Sequence, residues 1–193
     1  RFSPQGKIPQ LRATWQGNWQ NPIHYQLQAQ FDNVGLRPTQ QTDMGAWGLS
    51  GQLTATENQG SVTLASRNTQ IALPKIFRQP LHFDTLKLQL AWQRQAQRWQ
   101  VQLPYADFAN EDTAGSAKGH YRYEGKGAGV IDLQAKLSRG RAQGVPRYIP
   151  LMLGKSARDW LDQAFPKGYG TDAQLRLRGD LSKFPFNRPQ DGE

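Results

Sequence analysis

Apolar and polar residues alternate along most of this chain, with the period expected of β-strands. From Ile23 to Phe31 the odd positions carry apolar or aromatic side chains, and the even positions carry histidine or glutamine. Successive side chains of a strand point to opposite faces, so this segment predicts a strand with one apolar and one polar face. Similar segments, bounded by glycine, proline and Asx turn residues, predict strands at 47–55, 62–64, 71–73, 81–92, 99–103, 121–123 and 131–137.

The alternation changes phase within one of these predicted strands. Leu81 and Phe83 occupy odd positions, whereas the apolar residues from Leu86 onward occupy even ones. A slip of one residue would carry the apolar side chains to the opposite face of the sheet. A bulge or turn is therefore expected at Asp84-Thr85.

A helical pattern interrupts the strands near the C-terminus. Ser156 and Asp159 have the spacing of a capping box, and apolar residues then recur at i, i+4 until Pro166 ends the pattern. We predict a helical insertion at about residues 147–166 and a last strand at about 171–180. The residues assigned to this structural helix are Ser156, Asp159, Trp160, Leu161 and Phe165.

The composition favours a thin β-structure over a thick sandwich. Hydrophobic residues make up 37% of the chain and the mean hydropathy is −0.75, yet the apolar residues are regularly spaced. Such a chain builds sheets with one apolar and one wet face. We predict a mostly β fold, a curved, groove-like antiparallel sheet of roughly 8–11 strands with one short C-terminal helical segment. Residues 1–193 are interpreted as a single β-rich segment of a larger protein.

The charge balance adds little to this picture. The chain has 24 Lys and Arg residues against 15 Asp and Glu, a net charge of +9. A solvated basic surface and affinity for anionic lipid headgroups are both open interpretations. The basic residues form no dense tract, so nucleic acid is not an expected partner. Cysteine is absent, which excludes disulfides and thiolate metal sites.

Catalytic signals are weak. The histidines His24, His82 and His120 are far apart and lack metal-ligand spacing, so neither a metal nor another cofactor is expected. Asp107, Glu111 and Asp112 form an acidic cluster that we interpret as part of a solvated loop. The chain is therefore predicted not to be an enzyme.

Four segments carry a resemblance to a known family. They are the phrase at 31–38, the glycine-marked hairpin at 48–64, the strand from Leu86 to Trp92, and the junction from Trp160-Leu161 into the run 173–186. In order and spacing these segments resemble the YhdP branch of the AsmA-like envelope proteins of Gram-negative bacteria, relatives of TamB. The resemblance extends over about residues 31–186.

The resemblance implies a role in lipid transport. It suggests a non-enzymatic periplasmic segment of an intermembrane lipid-transfer protein, whose apolar groove guides phospholipid between the inner and outer membranes. The implied partners are phospholipid acyl chains, adjoining segments of the full-length protein, and the inner membrane through an anchor outside this fragment. On this interpretation the groove candidates are Tyr25, Leu27, Phe31, Leu49, Leu53, Val62, Leu64, Leu86, Leu88, Leu90, Val101, Leu103, Ile131, Leu133, Leu175 and Leu177.

Two other classes of function stay open from the sequence. One is a structural or protein-binding envelope module that recruits partners through its sheet edges. The other is a sugar-binding or hydrolytic domain that uses tryptophan side chains and the acidic loop 107–112. A continuous exposed apolar strip would favour lipid transport over both.

Overall fold

A computed structural model of the chain describes residues 5–18, 20–36, 38, 43–151, 168–184, 186 and 188–193. Strands dominate this part of the chain, with a single turn of α-helix, α1 (Val145–Tyr148), near the C-terminus. The strands are β1 (Gln5–Asn18), β2 (Asn21–Leu36), β3 (Gly45–Thr56), β4 (Gln59–Ala72), β5 (Leu81–Gln95), β6 (Arg98–Ala109), β7 (Thr113–Tyr123), β8 (Val130–Arg141), β9 (Tyr169–Gly170) and β10 (Ala173–Asp180). The predicted fold class, an open curved antiparallel sheet with one short helical segment, is confirmed.

The strands follow one another in chain order across one sheet. Each strand from β1 to β8 pairs with the next in antiparallel orientation, and β10 pairs with the far side of β8. The short β9 pairs with the end of β8. Neighbouring strands lie about 4.8 Å apart, so nine strands side by side give a sheet about 40 Å wide.

The two ends of the strands are built differently. At one end, here called the hairpin end, short turns join β1 to β2, β3 to β4, β5 to β6 and β7 to β8. At the other, the loop end, longer connections leave β2, β4 and β8, and a tight loop at 110–112 joins β6 to β7. The buried side chains of the sheet lie in the middle of the strands or toward the loop end, among them Val34, Leu64, Ser66, Thr69, Leu86, Ala106 and Asn110.

Most strands are longer than the alternation predicted, and one was missed. No strand was predicted before Ile23, although β1 covers residues 5–18. Its sequence includes Pro9, which counts against a central strand, but β1 is an edge strand and tolerates proline. The first part of β7 was also missed, because 113–120 contains only small or polar side chains. The short strand predicted at 71–73 is instead the end of the 14-residue strand β4.

The predicted helical insertion is described only at its start. The helix α1 begins at Val145 and ends at Tyr148, and the backbone of Ile149 is extended. The residues assigned to the structural helix, Ser156, Asp159, Trp160, Leu161 and Phe165, lie outside the described residues.

Each of the first four strands contains a residue with a left-handed backbone conformation, and these residues form a line across the sheet. Gly6, Asn33, Gly48 and Asn68 all have positive φ values. They are neighbours in space, because a Cβ on Gly6 would lie 2.4 Å from the Asn33 carbonyl oxygen, and one on Gly48 would lie 2.7 Å from the Asn68 carbonyl oxygen. A left-handed residue locally twists and bends its strand. The sheet therefore changes direction along this line, on the loop-end side of the first four strands.

The line of left-handed residues also explains the phase slip in the sequence. β5 runs without a register shift against β4, so the bulge predicted at Asp84-Thr85 does not form there. The irregular residue is Asn68 of β4, which has a φ of 51° and lies opposite Asp84 in the register. Both strands change phase at the same level, and their pairing is preserved.

Candidate functional site

The strand register brings apolar residues from nine strands to one face of the sheet, here called the apolar face. Leu27, Ala29 and Phe31 of β2 lie opposite Ala55, Leu53 and Gly51 of β3. Directly paired residues of an antiparallel sheet share a face, so each ladder extends the same surface. One row of direct pairs crosses all nine strands and contains Ala13, Leu27, Ala55, Gly60, Trp92, Val101, Tyr121, Ile131 and Gly179.

All of the groove candidates from the sequence lie in strands on this face. Tyr25 pairs with Trp15 of β1, Leu49 pairs with Val34, and Leu177 pairs with Leu133. The even-numbered side chains of β2, from His24 to Gln30, lie on the opposite face and are exposed. Contact between the candidates and lipid stays a prediction.

Exposure varies strongly across the apolar face. Leu86 is 4% exposed and Leu64 is 8% exposed, so they belong to a covered core. Leu88, Leu90 and Val101 are half-buried, with no described element covering them completely. At the two edges Leu11 is 61% exposed and Leu175 is 57% exposed. The face is therefore an open apolar surface whose side chains are more buried toward the middle of the strands and the loop end.

Some residues of this face, among them Gly60, Trp92 and Phe108, were not among the candidates. Gly60 lies beneath the Trp92 indole, and a Cβ there would approach the indole ring within 2.2 Å. Because Gly60 has no side chain, Trp92 can lie against the sheet. Phe108 also lies on this face and meets Phe83 edge to face at 6.3 Å between ring centroids. Gly60 was interpreted only as part of a turn, although its pairing with a large side chain in the neighbouring strand could have identified it.

A strap, residues 142–151, crosses the loop end after β8. The amide of Leu151 at its far end donates a hydrogen bond of 2.8 Å to the carbonyl oxygen of Ile76, between β4 and β5. Ile149 is 7% exposed. The strap thus joins the end of β8 to the connection between β4 and β5 and covers part of the loop end.

Asn110 holds the strap to the sheet. Its Oδ1 accepts hydrogen bonds from the amides of Asp112 and Thr113, and its Nδ2 donates to the carbonyl oxygen of His82 and the hydroxyl of Tyr148. Asn110 is 4% exposed, so these bonds satisfy a buried amide. Burial raises the pKa of the Tyr148 hydroxyl, which stays protonated at neutral pH.

An ion pair completes this attachment. The Arg147 guanidinium donates to Asp112 at 2.6 Å and to Glu111 at 3.1 Å, and its hydrogen bond with Glu111 is the main cause of a raised Arg147 pKa. Asp112 is buried, so the prediction that the acidic cluster is a solvated loop is wrong for this residue. Asp107 lies apart from it, within β6 on the polar face. The loop 110–112 therefore has a structural role at the loop end.

Replacing Arg147 with glutamine is expected to lower the free energy of unfolding by about 1–3 kcal/mol, because the buried Asp112 carboxylate loses its charged donor. Urea denaturation measures this loss. Hydrogen exchange at the Leu151 amide should accelerate, because the strap is held less firmly. The matched control is Arg98→Gln. The Arg98 and Glu124 side chains form an ion pair and are 70% and 55% exposed, so losing this pair should cost only about 0–1 kcal/mol. Equal losses in both variants would contradict the assigned role of the strap.

The opposite, polar face contains a large, open depression. It has a volume of about 1000 Å³ and spans β4 to β10. Its charged lining residues are Arg67, Lys87, Asp107, Lys136 and Asp172. Charges of both signs and their hydration make this depression unsuitable for an acyl chain.

A histidine and a carboxylate meet at the hairpin end of the sheet. His24 and Glu57 form an exposed pair with 2.6 Å between Nδ1 and Oε1, and this hydrogen bond is the main reason that the Glu57 pKa falls to about 2. Among the residues that the structure describes, no group of three His, Asp or Glu side chains is placed to hold a metal ion. No helix within the same residues has the length and apolar character to cross a membrane.

Comparisons with known proteins define the family. Neither a curated protein nor a solved structure is significantly similar to the chain. The family model described as YhdP protein matches residues 1–193. This match includes β1, which lies before the residues that carried the resemblance. The chain therefore belongs to the YhdP family of AsmA-like bacterial envelope proteins, in agreement with the resemblance in its sequence.

Proposed function

We propose that this segment guides phospholipid acyl chains along its apolar face, as a non-enzymatic part of an AsmA-like protein that transfers lipid between the inner and outer membranes. The observation that carries the proposal is the continuity of the apolar face across nine strands, with a middle zone that is half-buried and edges that are exposed. An exposed apolar strip of this extent is unusual on a protein that binds nothing.

The chemistry of the face suits an acyl chain. Burying one CH₂ group contributes about 0.8 kcal/mol, so a saturated chain gains affinity along its whole length without specific polar contacts. The rows of Leu, Val, Ala and Ile offer similar contacts from strand to strand. A lipid can then move along the face, because neighbouring positions have similar binding energy.

The edges of the sheet suggest how a longer path is formed. The apolar face reaches both edge strands, with Leu11 and Trp15 on β1 and Leu175 on β10 exposed. Adjoining segments of the full-length protein would pair there and continue the surface. The periplasm, with an inner-membrane anchor outside this segment, is the location that fits such a path, and it is part of the proposal.

Native mass spectrometry of the purified chain tests the proposal. The expected result is a set of adducts with the masses of phospholipids, which disappear after delipidation and return after incubation with phosphatidylethanolamine and phosphatidylglycerol vesicles. Lysozyme handled in parallel controls for nonspecific adducts. A chain that stays free of lipid under both conditions would contradict the proposal.

A second function is favoured by a separate observation. β1 is an edge strand of 14 residues, and Ile8 and Leu11 on it are 45% and 61% exposed. Such an edge can accept a strand from a partner protein. In that case the variant Thr14→Pro would abolish partner binding and leave the lipid adducts unchanged. This pair of results would separate strand addition from lipid transport.

A further inference from the structure

Tyrosine and tryptophan collect at one end of the apolar face. The rows nearest the hairpin end pair Trp15 with Tyr25, Trp99 with Tyr123, and Val101 with Tyr121. Trp92 lies beside Val101 in the same zone. We call this set the aromatic rim, and its members are Trp15, Tyr25, Trp92, Trp99, Tyr121 and Tyr123.

On the apolar face, the aromatic side chains toward the loop end are of a different type, whereas Trp47 and Tyr105 pair with glutamines on the polar face. Phe31 lies toward the loop end of β2, and the Phe83–Phe108 pair lies toward the loop end of β5 and β6. Phenylalanine is wholly apolar, whereas tyrosine and tryptophan combine an apolar ring with a polar group that stays near water. Tyrosine and tryptophan therefore lie at one end of the strands and phenylalanine lies further along them. Membrane proteins likewise place tyrosine and tryptophan at the membrane–water interface.

Two polar features of the aromatic rim lie at the hairpin end, the Tyr121 hydroxyl and the guanidinium beside Trp99. The Tyr121 hydroxyl donates a 3.0 Å hydrogen bond to the carbonyl oxygen of Ala128, in the turn between β7 and β8. Trp99 is 37% exposed, and the Arg94 guanidinium lies 5.5 Å from its ring centroid. Arg94 donates to the carbonyl oxygen of Ala96, and no carboxylate in the described residues pairs with it within 4.0 Å. The rim thus combines amphipathic rings with a cation that can bind a further anion.

The buried apolar residues lie away from the hairpin end. Leu86 is buried toward the loop end of β5, and Ile149 is buried in the strap. The hairpin end has only short turns, and its aromatic side chains are half-buried or exposed. A two-part ligand bound to this face would place its apolar part inward and its polar part at the hairpin end.

We propose that the aromatic rim orients bound phospholipid, with the phosphate headgroup at the hairpin end beside Trp99 and Arg94 and the acyl chains directed toward the loop end. The inference rests on the proposed function and adds a direction to it. The guanidinium of Arg94 binds the phosphate, and the amphipathic rings line the boundary between headgroup and acyl chains. Trp99 and Arg94 are then positioning residues for the lipid.

Two photoreactive lipids test the orientation on the intact chain. One is phosphatidylethanolamine with a diazirine linked to the headgroup, and the other has the diazirine at the end of one acyl chain. After irradiation, labelled peptides are quantified by mass spectrometry. The headgroup probe is expected to label 92–101 and 119–131 at least fivefold more than 83–89 and 105–117. The acyl probe is expected to show the reverse preference.

The outcomes separate the orientation from lipid binding itself. Labelling of both ends to the same extent by both probes, or a headgroup preference for the loop end, would overturn the orientation and leave lipid binding intact. Absence of labelling by either probe would overturn the proposed function together with this inference.

Matched variants test the two positioning residues. Trp99→Leu and Arg94→Gln should each reduce headgroup labelling at the hairpin end at least threefold, with acyl labelling changed less than twofold. The control is Tyr105→Leu, an aromatic residue of the same strand that is 41% exposed on the polar face and should change neither signal. Circular dichroism melting checks the fold of each variant. If neither Trp99→Leu nor Arg94→Gln changes headgroup labelling, these residues do not orient the lipid.

Discussion

The variant Leu90→Asp is expected to stay folded and to lose at least nine-tenths of its photo-crosslinking to phospholipid. Leu90 lies in the half-buried zone of the apolar face, opposite Val62. An aspartate there can reach water, so the sheet tolerates it. An acyl chain crossing this position would instead have to desolvate the carboxylate, which costs several kcal/mol. A tenfold loss needs only about 1.4 kcal/mol.

The neighbouring residue provides the control for this variant. Gln89 lies in the same strand on the polar face, opposite Thr63 and Tyr105, and it is exposed. Gln89→Asp adds the same charge at the same level of the sheet and should leave crosslinking unchanged. Circular dichroism melting and crosslinking are measured on both variants. A folded Leu90→Asp protein that crosslinks as well as the parent chain would exclude this strand from the lipid path.

The variant Leu86→Ala should be the most destabilising alanine substitution on the apolar face. Leu86 is 4% exposed, next to Phe108 in the register, so alanine leaves a cavity that the surrounding strands cannot fill completely. Losses for such sites are about 2–5 kcal/mol. Leu90→Ala, in the open zone of the same strand, should cost about 1 kcal/mol, because part of that side chain already contacts water.

Urea denaturation of the two alanine variants measures this difference. A loss at Leu86 at least twice that at Leu90 is the expected result, with similar m-values for both. Equal losses would show that the apolar face is covered uniformly, as in an ordinary core, and would argue against an open surface for lipid.

The alternation of apolar and polar residues was sufficient to predict a sheet with two chemically different faces. This works because side-chain direction along a strand depends only on the two-residue period, which is local. The same period placed the groove candidates of β2 to β6, β8 and β10 on one face. The two-residue period did not predict β1. This strand contains Pro9, which is unfavourable inside a sheet and is tolerated here because β1 is an edge strand.

Other features could not be predicted because they depend on contacts between distant residues. The phase slip near Asp84 was visible in the sequence, but its cause is the left-handed Asn68 in the neighbouring strand. The acidic loop has the sequence of a solvated turn, but Asp112 pairs with Arg147, which lies 35 residues further along the chain.

The sequence by itself determined the strand content and the apolar face, whereas the tertiary structure decided where that face is covered and where it is open. Leu86 and Leu90 have the same residue type, strand and alternation phase, yet one is buried and the other is half-buried. The difference follows their position along the strand, because Leu86 lies toward the loop end, where the longer connections and the strap are, and Leu90 lies toward the short turns of the hairpin end. Burial depends on which distant segments pass over a residue, and a local period contains no information about that.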